Sequence, residues 1–298
     1  FMPVLHVQHL TKQYGSLAAL NDLDLIVEAG QVFGLLGPNG SGKTTLLASI
    51  LDVIRPSSGT YTWFDGKAGS HVRRRIGALL ETPNFYPYLN ADQNLSIVAG
   101  IKNVPQTSFD SLLELVQLKD RRRSTFKTYS LGMKQRLALA ACLIGDPDVL
   151  ILDEPTNGLD PEGMIQIRKI ILEIASRGKT ILLASHILDE VEKICSHVAI
   201  IKNGKRLASG AVGSILSDLP TVEISAAQAD MEKLLNLVTA TTWIKKLQRN
   251  GTKLTMELNA GHLPRELNQL AFENGITLDH LVSKTRSLEV EFLEITKS

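Results

Sequence analysis

The chain has 298 residues, 44% of them hydrophobic and 21% charged, and its 32 basic and 31 acidic residues leave a net charge of +1. That length predicts one large domain plus a smaller one, and the charge balance excludes a global electrostatic pull towards nucleic acid or an anionic membrane. No apolar run reaches the about 18–20 residues of a membrane span, and the opening FMPVLHVQHL lacks the basic-then-apolar order of a secretory leader, so any membrane role is expected to run through a partner.

From Val4 to about Gly210 short β-rich runs alternate with helical patterns, which predicts a largely parallel α/β sheet. QVFGLLG predicts a buried strand running into a Gly-rich loop and then a helix around KTTLLASIL. TYTWFDG predicts an edge strand ended by a turn. DVLILDE and TILLAS are continuous apolar runs, as strands buried on both faces require. PEGMIQIRKIILEIASRG predicts a helix with Pro161 in its first turn and Gly178 at its stop. Cys142 and Cys195 fall in apolar helical patterns, where packing as reduced thiols in a cytosolic protein is expected. Beyond Gly210, TVEIS, DMEKLLNLV, WIKKLQR, KLTMEL, PRELNQLAFENG and ITLDHLVS give the order β-α-β-β-α-β of a small α+β, ferredoxin-like unit, closed by a helix in SLEVEFLEITK. The expected domains are therefore residues 2–215 and 216–298.

Two motifs carry chemistry. GPNGSGKT, running from Gly37 through Pro38, Asn39, Gly40, Ser41, Gly42 and Lys43 to Thr44, matches G-x-x-x-x-G-K-S/T between a strand and a helix. Its glycines let backbone N–H groups face phosphate oxygens, and the helix start adds its positive dipole end. Lys43 offers a point charge to the β- and γ-phosphates, and Thr44 a hydroxyl to Mg²⁺. The other reading is a Gly-rich turn with an exposed lysine. LILDEP ends an apolar strand in Asp153 and Glu154, two carboxylates at the carboxyl edge of the sheet. Beside a phosphate loop, Asp153 is placed to hold Mg²⁺ and Glu154 to act as general base; by itself the pair could be a helix cap.

In chain order the phosphate loop, YSLGM, LILDEP, NGLDP and ASH resemble the ATP-binding subunit of ABC transporters over about residues 2–215. The resemblance implies a P-loop NTPase core with a helical subdomain at about 85–145, ATP and Mg²⁺ as cofactors, and a homodimer that clamps ATP between the Gly37–Thr45 loop of one copy and Ser130 and Gly132 of the other. It further implies an adenine-facing Tyr14, a loop linking the two sites at Asp160, and a γ-phosphate-sensing His186. Taken without the family, Ser130 is an ordinary helix cap and Tyr14 a core residue. Two positions depart from the family pattern. Leu-Ser-Gly-Gly-Gln is usual where Tyr129-Ser130-Leu131-Gly132-Met133 stands, and Glu81 replaces the usual glutamine, adding a charged oxygen ligand near Mg²⁺.

Glu81, the FYPYL loop and YSLGMKQRLALA are similar to the branch of bacitracin- and lantibiotic-resistance exporters. That implies an ATPase driving export through a separate integral membrane permease, on the cytoplasmic face of the membrane, with no nucleic-acid partner. Phe85, Tyr86 and Tyr88 either pack the helical subdomain or line a groove for the permease. DRRRSTFK reads as a solvated charge run, or as a permease or lipid contact. Two other functions stay open: a soluble ABC-type ATPase acting on ribosomes or DNA, and a nucleotide-dependent regulatory module.

Overall fold

A computed structural model describes residues 3–64, 66, 70–80, 83–105, 108–215, 221–259, 261–284 and 288–297. The chain divides into two compact units between Ala211 and Val212.

The first unit opens with two long antiparallel strands, β1 (Pro3–Tyr14) and β2 (Leu17–Glu28), followed by β3 (Val32–Leu36) and α1 (Lys43–Ile50). Next come β4 (Ser58–Trp63), α2 (Ser70–Arg74) and β5 (Ile76–Leu79). Three helices, α3 (Ala91–Ile101), α4 (Asp110–Leu115) and α5 (Leu131–Cys142), lead to β6 (Val149–Asp153). The unit closes with α6 (Pro161–Ser176), β7 (Thr180–Ser185), α7 (Leu188–Ile194), β8 (His197–Lys202) and β9 (Lys205–Ala211).

Its strands form two sheets, where the sequence predicted one largely parallel sheet. β2-β1-β4 is antiparallel with β4 at its edge, and β5-β6-β7-β3-β8-β9 is parallel except for β9. β1 and β2 alternate or bulge instead of running uniformly apolar, and of the first three strands only β3 joins the parallel sheet. β3, β6 and β7 are buried at every residue, which explains their unbroken apolar runs. Burial pushes the thiols of Cys142 and Cys195 up to about 12, so both are packing residues.

The helices between β5 and β6 are braced by polar contacts. Asn90 and Gln93 form a reciprocal capping box at the start of α3. Arg122 donates to Asp92 at 2.7 and 2.9 Å and also pairs with Asp110, so this member of the basic run ties α3 to α4 instead of facing solvent. Lys102 donates to the carbonyls of Ala141, Cys142 and Ile144, closing the end of α5.

The second unit contains α8 (Val212–Ile215), β10 (Thr221–Ala226), α9 (Met231–Thr239), β11 (Ile244–Asn250), β12 (Lys253–Leu258), α10 (Pro264–Glu273), β13 (Leu278–Lys284) and α11 (Leu288–Lys297). Its sheet runs β11-β12-β10-β13, antiparallel throughout, over a core that includes Val222, Ile224, Leu234, Leu254, Met256 and Leu267. Among the described residues, no helix is long and apolar enough to cross a membrane.

Candidate nucleotide site

Register assembles the site. β7 lies between β3 and β6, with Leu36 opposite Ser185 and Asp153 opposite Ala184. Gly37, Glu154 and His186 therefore emerge together at the carboxyl edge of three buried strands, where ligands of open α/β sheets bind.

The loop after β3 is shaped by its glycines. A Cβ on Gly37 would stand 2.3 Å from the carbonyl of Ile201, and one on Gly42 would stand 2.5 Å from that of Ala19. Gly42 also has φ +108° and caps α1, a conformation that other residues rarely adopt. Pro38, Asn39 and Gly40 are exposed, while Ser41 and Lys43 are buried. The Ser41 hydroxyl has no hydrogen-bond partner among the described residues. Thr45 is half-buried behind the loop, and its carbonyl accepts from Ser49.

Lys43 Nζ donates to the carbonyls of Gly37 at 2.8 Å and Pro38 at 3.3 Å, and lies 3.7 Å from Glu154 Oε1. Burial lowers its pKa from the ordinary lysine range, opposed by the nearby charges of Glu154 and Asp153. The exposed Thr44 hydroxyl donates to Oδ2 of the buried Asp153 at 2.8 Å. Glu154 has φ +49°, a strained conformation for this residue type that its surroundings must hold. Its backbone N–H donates to Ala184, and its Oε2 lies 2.8 Å from Nδ1 of His186. Glu154 thus stands between the imidazole of His186 and the ammonium of Lys43, at a small polar cleft that its own carboxylate lines.

That cleft, about 360 Å³, is lined by Thr44, Pro83, Leu131, Gln135, Asp153, Glu154 and Asn157. The fold thus unites Lys43, Thr44, Asp153, Glu154 and His186. Lys43 and His186 join through their contacts with Glu154 and do not themselves line the cleft, nor do Ser130, Gly132, Asp160 and Tyr14. Ser130 is exposed and caps α5, accepting from the Met133 N–H at 3.3 Å, and Gly132 follows it in the same turn. Asp160 caps α6 through the Gly163 N–H at 3.1 Å. Tyr14 ends β1 half-exposed, with the Lys12 ammonium 4.9 Å from its ring centre. Glu81 lies outside the described residues.

Comparison with known proteins is decisive on the family. The chain matches the ABC transporter family over residues 20–157. It is 37% identical over 299 residues to the uncharacterized ABC transporter ATP-binding protein YdbJ of Bacillus subtilis, covering 99% of this chain and 96% of that one. The chain belongs to the ABC transporter ATP-binding proteins. It is accordingly an ATPase, the ATP-binding subunit of an ABC transporter. The bacitracin transport ATP-binding protein BcrA of Bacillus licheniformis is 42% identical over 209 residues, 68% of each chain. Among solved structures, CbiO1 of Clostridium perfringens, part of the ABC transporter complex cbiONQ, is similar at a TM-score of 0.65 and 28% identity over 80% of this chain and 96% of that one.

Sequence reading missed Gln135 and Asn157 as cleft residues. Gln135 left one trace: it is a polar residue on the face of α5 that also carries Ala138, Leu139 and Cys142. Asn157 opens the NGLDP motif, but that motif does not by itself place it in the cleft, because its position depends on how the loop after β6 folds back.

Proposed function

We propose that this ATPase drives export through a separate membrane permease, as a homodimer with two composite ATP sites, at the cytoplasmic face of the membrane. The pairing of Thr44 with Asp153, beside Glu154 held against His186, carries the reading. Thr44 and Asp153 offer the hard oxygen donors that Mg²⁺ takes, and both fit it; Glu81 is a further proposed ligand. Mg²⁺ bound there supplies neutralisation of the charge on β- and γ-phosphate oxygens.

Gly37 to Thr45 cradle the phosphates with backbone N–H groups, and Lys43 adds its charge. The partnerless Ser41 hydroxyl supports this cradle, since a phosphate oxygen would satisfy it. Glu154 takes the proton of the attacking water, and His186 holds the Glu154 carboxylate in place. Ser130 and Gly132 of the second copy close the site from across the interface, Asp160 links the two sites, and Tyr14 stacks on adenine. The exposure of Ser130 and Tyr14 leaves them open to such contacts.

The similarity to BcrA supports export of a peptide antibiotic or another amphiphile. Tyr86, Tyr88 and Ile101 are exposed on the helical part, which supports permease docking there. The strand order of the second unit supports a ferredoxin-like fold for the accessory domain of residues 216–298.

Affinity purification from gently solubilised native membranes tests the proposal. A multi-span membrane protein recovered in near-equal amount is the expected result; recovery of ribosomal or DNA-bound proteins alone would overturn it.

A further inference from the structure

Helix α5 carries a polar side chain where an apolar one would pack. Gln135 is only 6% exposed and shares its face with Leu131, Ala138, Leu139 and Cys142. A carboxamide has two N–H donors and an acceptor oxygen, yet that of Gln135 forms no hydrogen bond among the described residues. Its oxygen and nitrogen are not among the fully buried unpartnered atoms of the described residues, so the small exposed part of this side chain includes the groups that a ligand could meet. What Gln135 does face is the cleft that it lines with Thr44, Asp153, Glu154 and Asn157.

We propose that Gln135 is a binding residue of the nucleotide site in its own subunit, its carboxamide hydrogen-bonding the oxygens around the γ-phosphate, whether phosphoryl or water. The inference rests on the proposed phosphate-binding role of that cleft. It gives α5 two readers. Ser130 caps the exposed helix start and is not among the cleft residues, whereas Gln135, about 7.5 Å further along the axis, lines the cleft.

The test is equilibrium titration of fluorescently labelled ATP and ADP, each with Mg²⁺, in a Glu154→Gln background that prevents turnover. Gln135→Leu should weaken ATP binding about tenfold, the effect of one lost hydrogen bond to a charged ligand, and leave ADP binding and the melting temperature unchanged. Gln135→Glu should weaken ATP further, because its charge faces Asp153 and the phosphate. Equal affinity for ATP in parent and Gln135→Leu would overturn the proposal, as would equal losses for ATP and ADP. Should Gln135→Leu not fold, Gln135→Met makes the same comparison. Lys43→Ala separates the role of Gln135 from that of the cleft. If it binds ATP like the parent, the cleft is not the phosphate site and both readings fall. If Lys43→Ala loses ATP while Gln135→Leu does not discriminate, only the role of Gln135 falls.

Discussion

The phosphate loop and the turn before α5 are both glycine-bearing loops that open a helix, yet the fold treats them in opposite ways. The loop from Gly37 to Thr44 is packed against Ala19 and Ile201, its lysine is buried, and its threonine is tied to Asp153. The turn at Ser130–Gly132 is exposed at Ser130 and Leu131 and held by one cap bond of 3.3 Å, and a Cβ on Gly132 would meet only Leu159, at 3.9 Å. A polar loop braced behind an exposed tip can bind a ligand within one chain. An exposed polar turn with little to hold it in its own chain is suited to meeting something outside it, in keeping with the proposal, drawn from the family resemblance, that it meets the partner's ATP.

The largest expected effect comes from the braced side. Glu154→Gln should lower ATP hydrolysis by about a hundredfold or more, the contribution of a positioned general base. ATP binding should persist, and the variant should run as a dimer on size-exclusion chromatography in the presence of ATP. Hydrolysis at the wild-type rate would remove Glu154 from the proposed chemistry.

Mixing tests the outward side. Lys43→Ala and Gly132→Asp homodimers should both be inactive, for different reasons. Combined in equal amounts they form mixed dimers in which one composite site has both its loops intact. With independent sites, about a quarter of wild-type activity should return in a steady-state assay. No recovery in verified mixed dimers would mean that both loops serve the same subunit.

The sequence made the braced side legible because its signals are local. An unbroken apolar run marks each of β3, β6 and β7, and a short motif follows each strand. It was less informative where contacts join distant segments. The separation of β1, β2 and β4 into their own sheet depends on pairings such as Leu5 with Trp63. Gln135 becomes a cleft residue only once α5 lies beside the end of β6. Arg168 and Glu190 meet as a two-pronged pair at 2.6 and 3.2 Å, joining the helix after Asp160 to the helix after His186, although 22 residues separate them. No spacing rule announces that contact.

This pair makes the third prediction. Glu190 is buried and Arg168 partly so, so Glu190→Ala should destabilise the first unit by about 3 kcal/mol, the cost of stranding one partner of a buried ion pair. Chemical denaturation would measure it. A loss below about 1 kcal/mol, the size expected of a surface pair, would show that α6 and α7 are held by apolar packing instead.

The smallest stability effect should come from Ser130, and it is the most informative about the turn before α5. Asp160 caps α6 at 3.1 Å, whereas Ser130 caps α5 at the longer 3.3 Å. Asp160→Ala should therefore cost about 1 kcal/mol and Ser130→Ala about 0.5 kcal/mol, at the low end for lost caps. If Ser130 is only a cap, hydrolysis should fall no further than that loss of folded protein, which is negligible for a stable domain. If its hydroxyl also meets the partner's ATP, Ser130→Ala should lower hydrolysis about tenfold, the equivalent of one hydrogen bond to a charged group, while denaturation barely changes. Measured on the same preparation, those two quantities separate a turn that merely starts a helix from one that completes a neighbour's site.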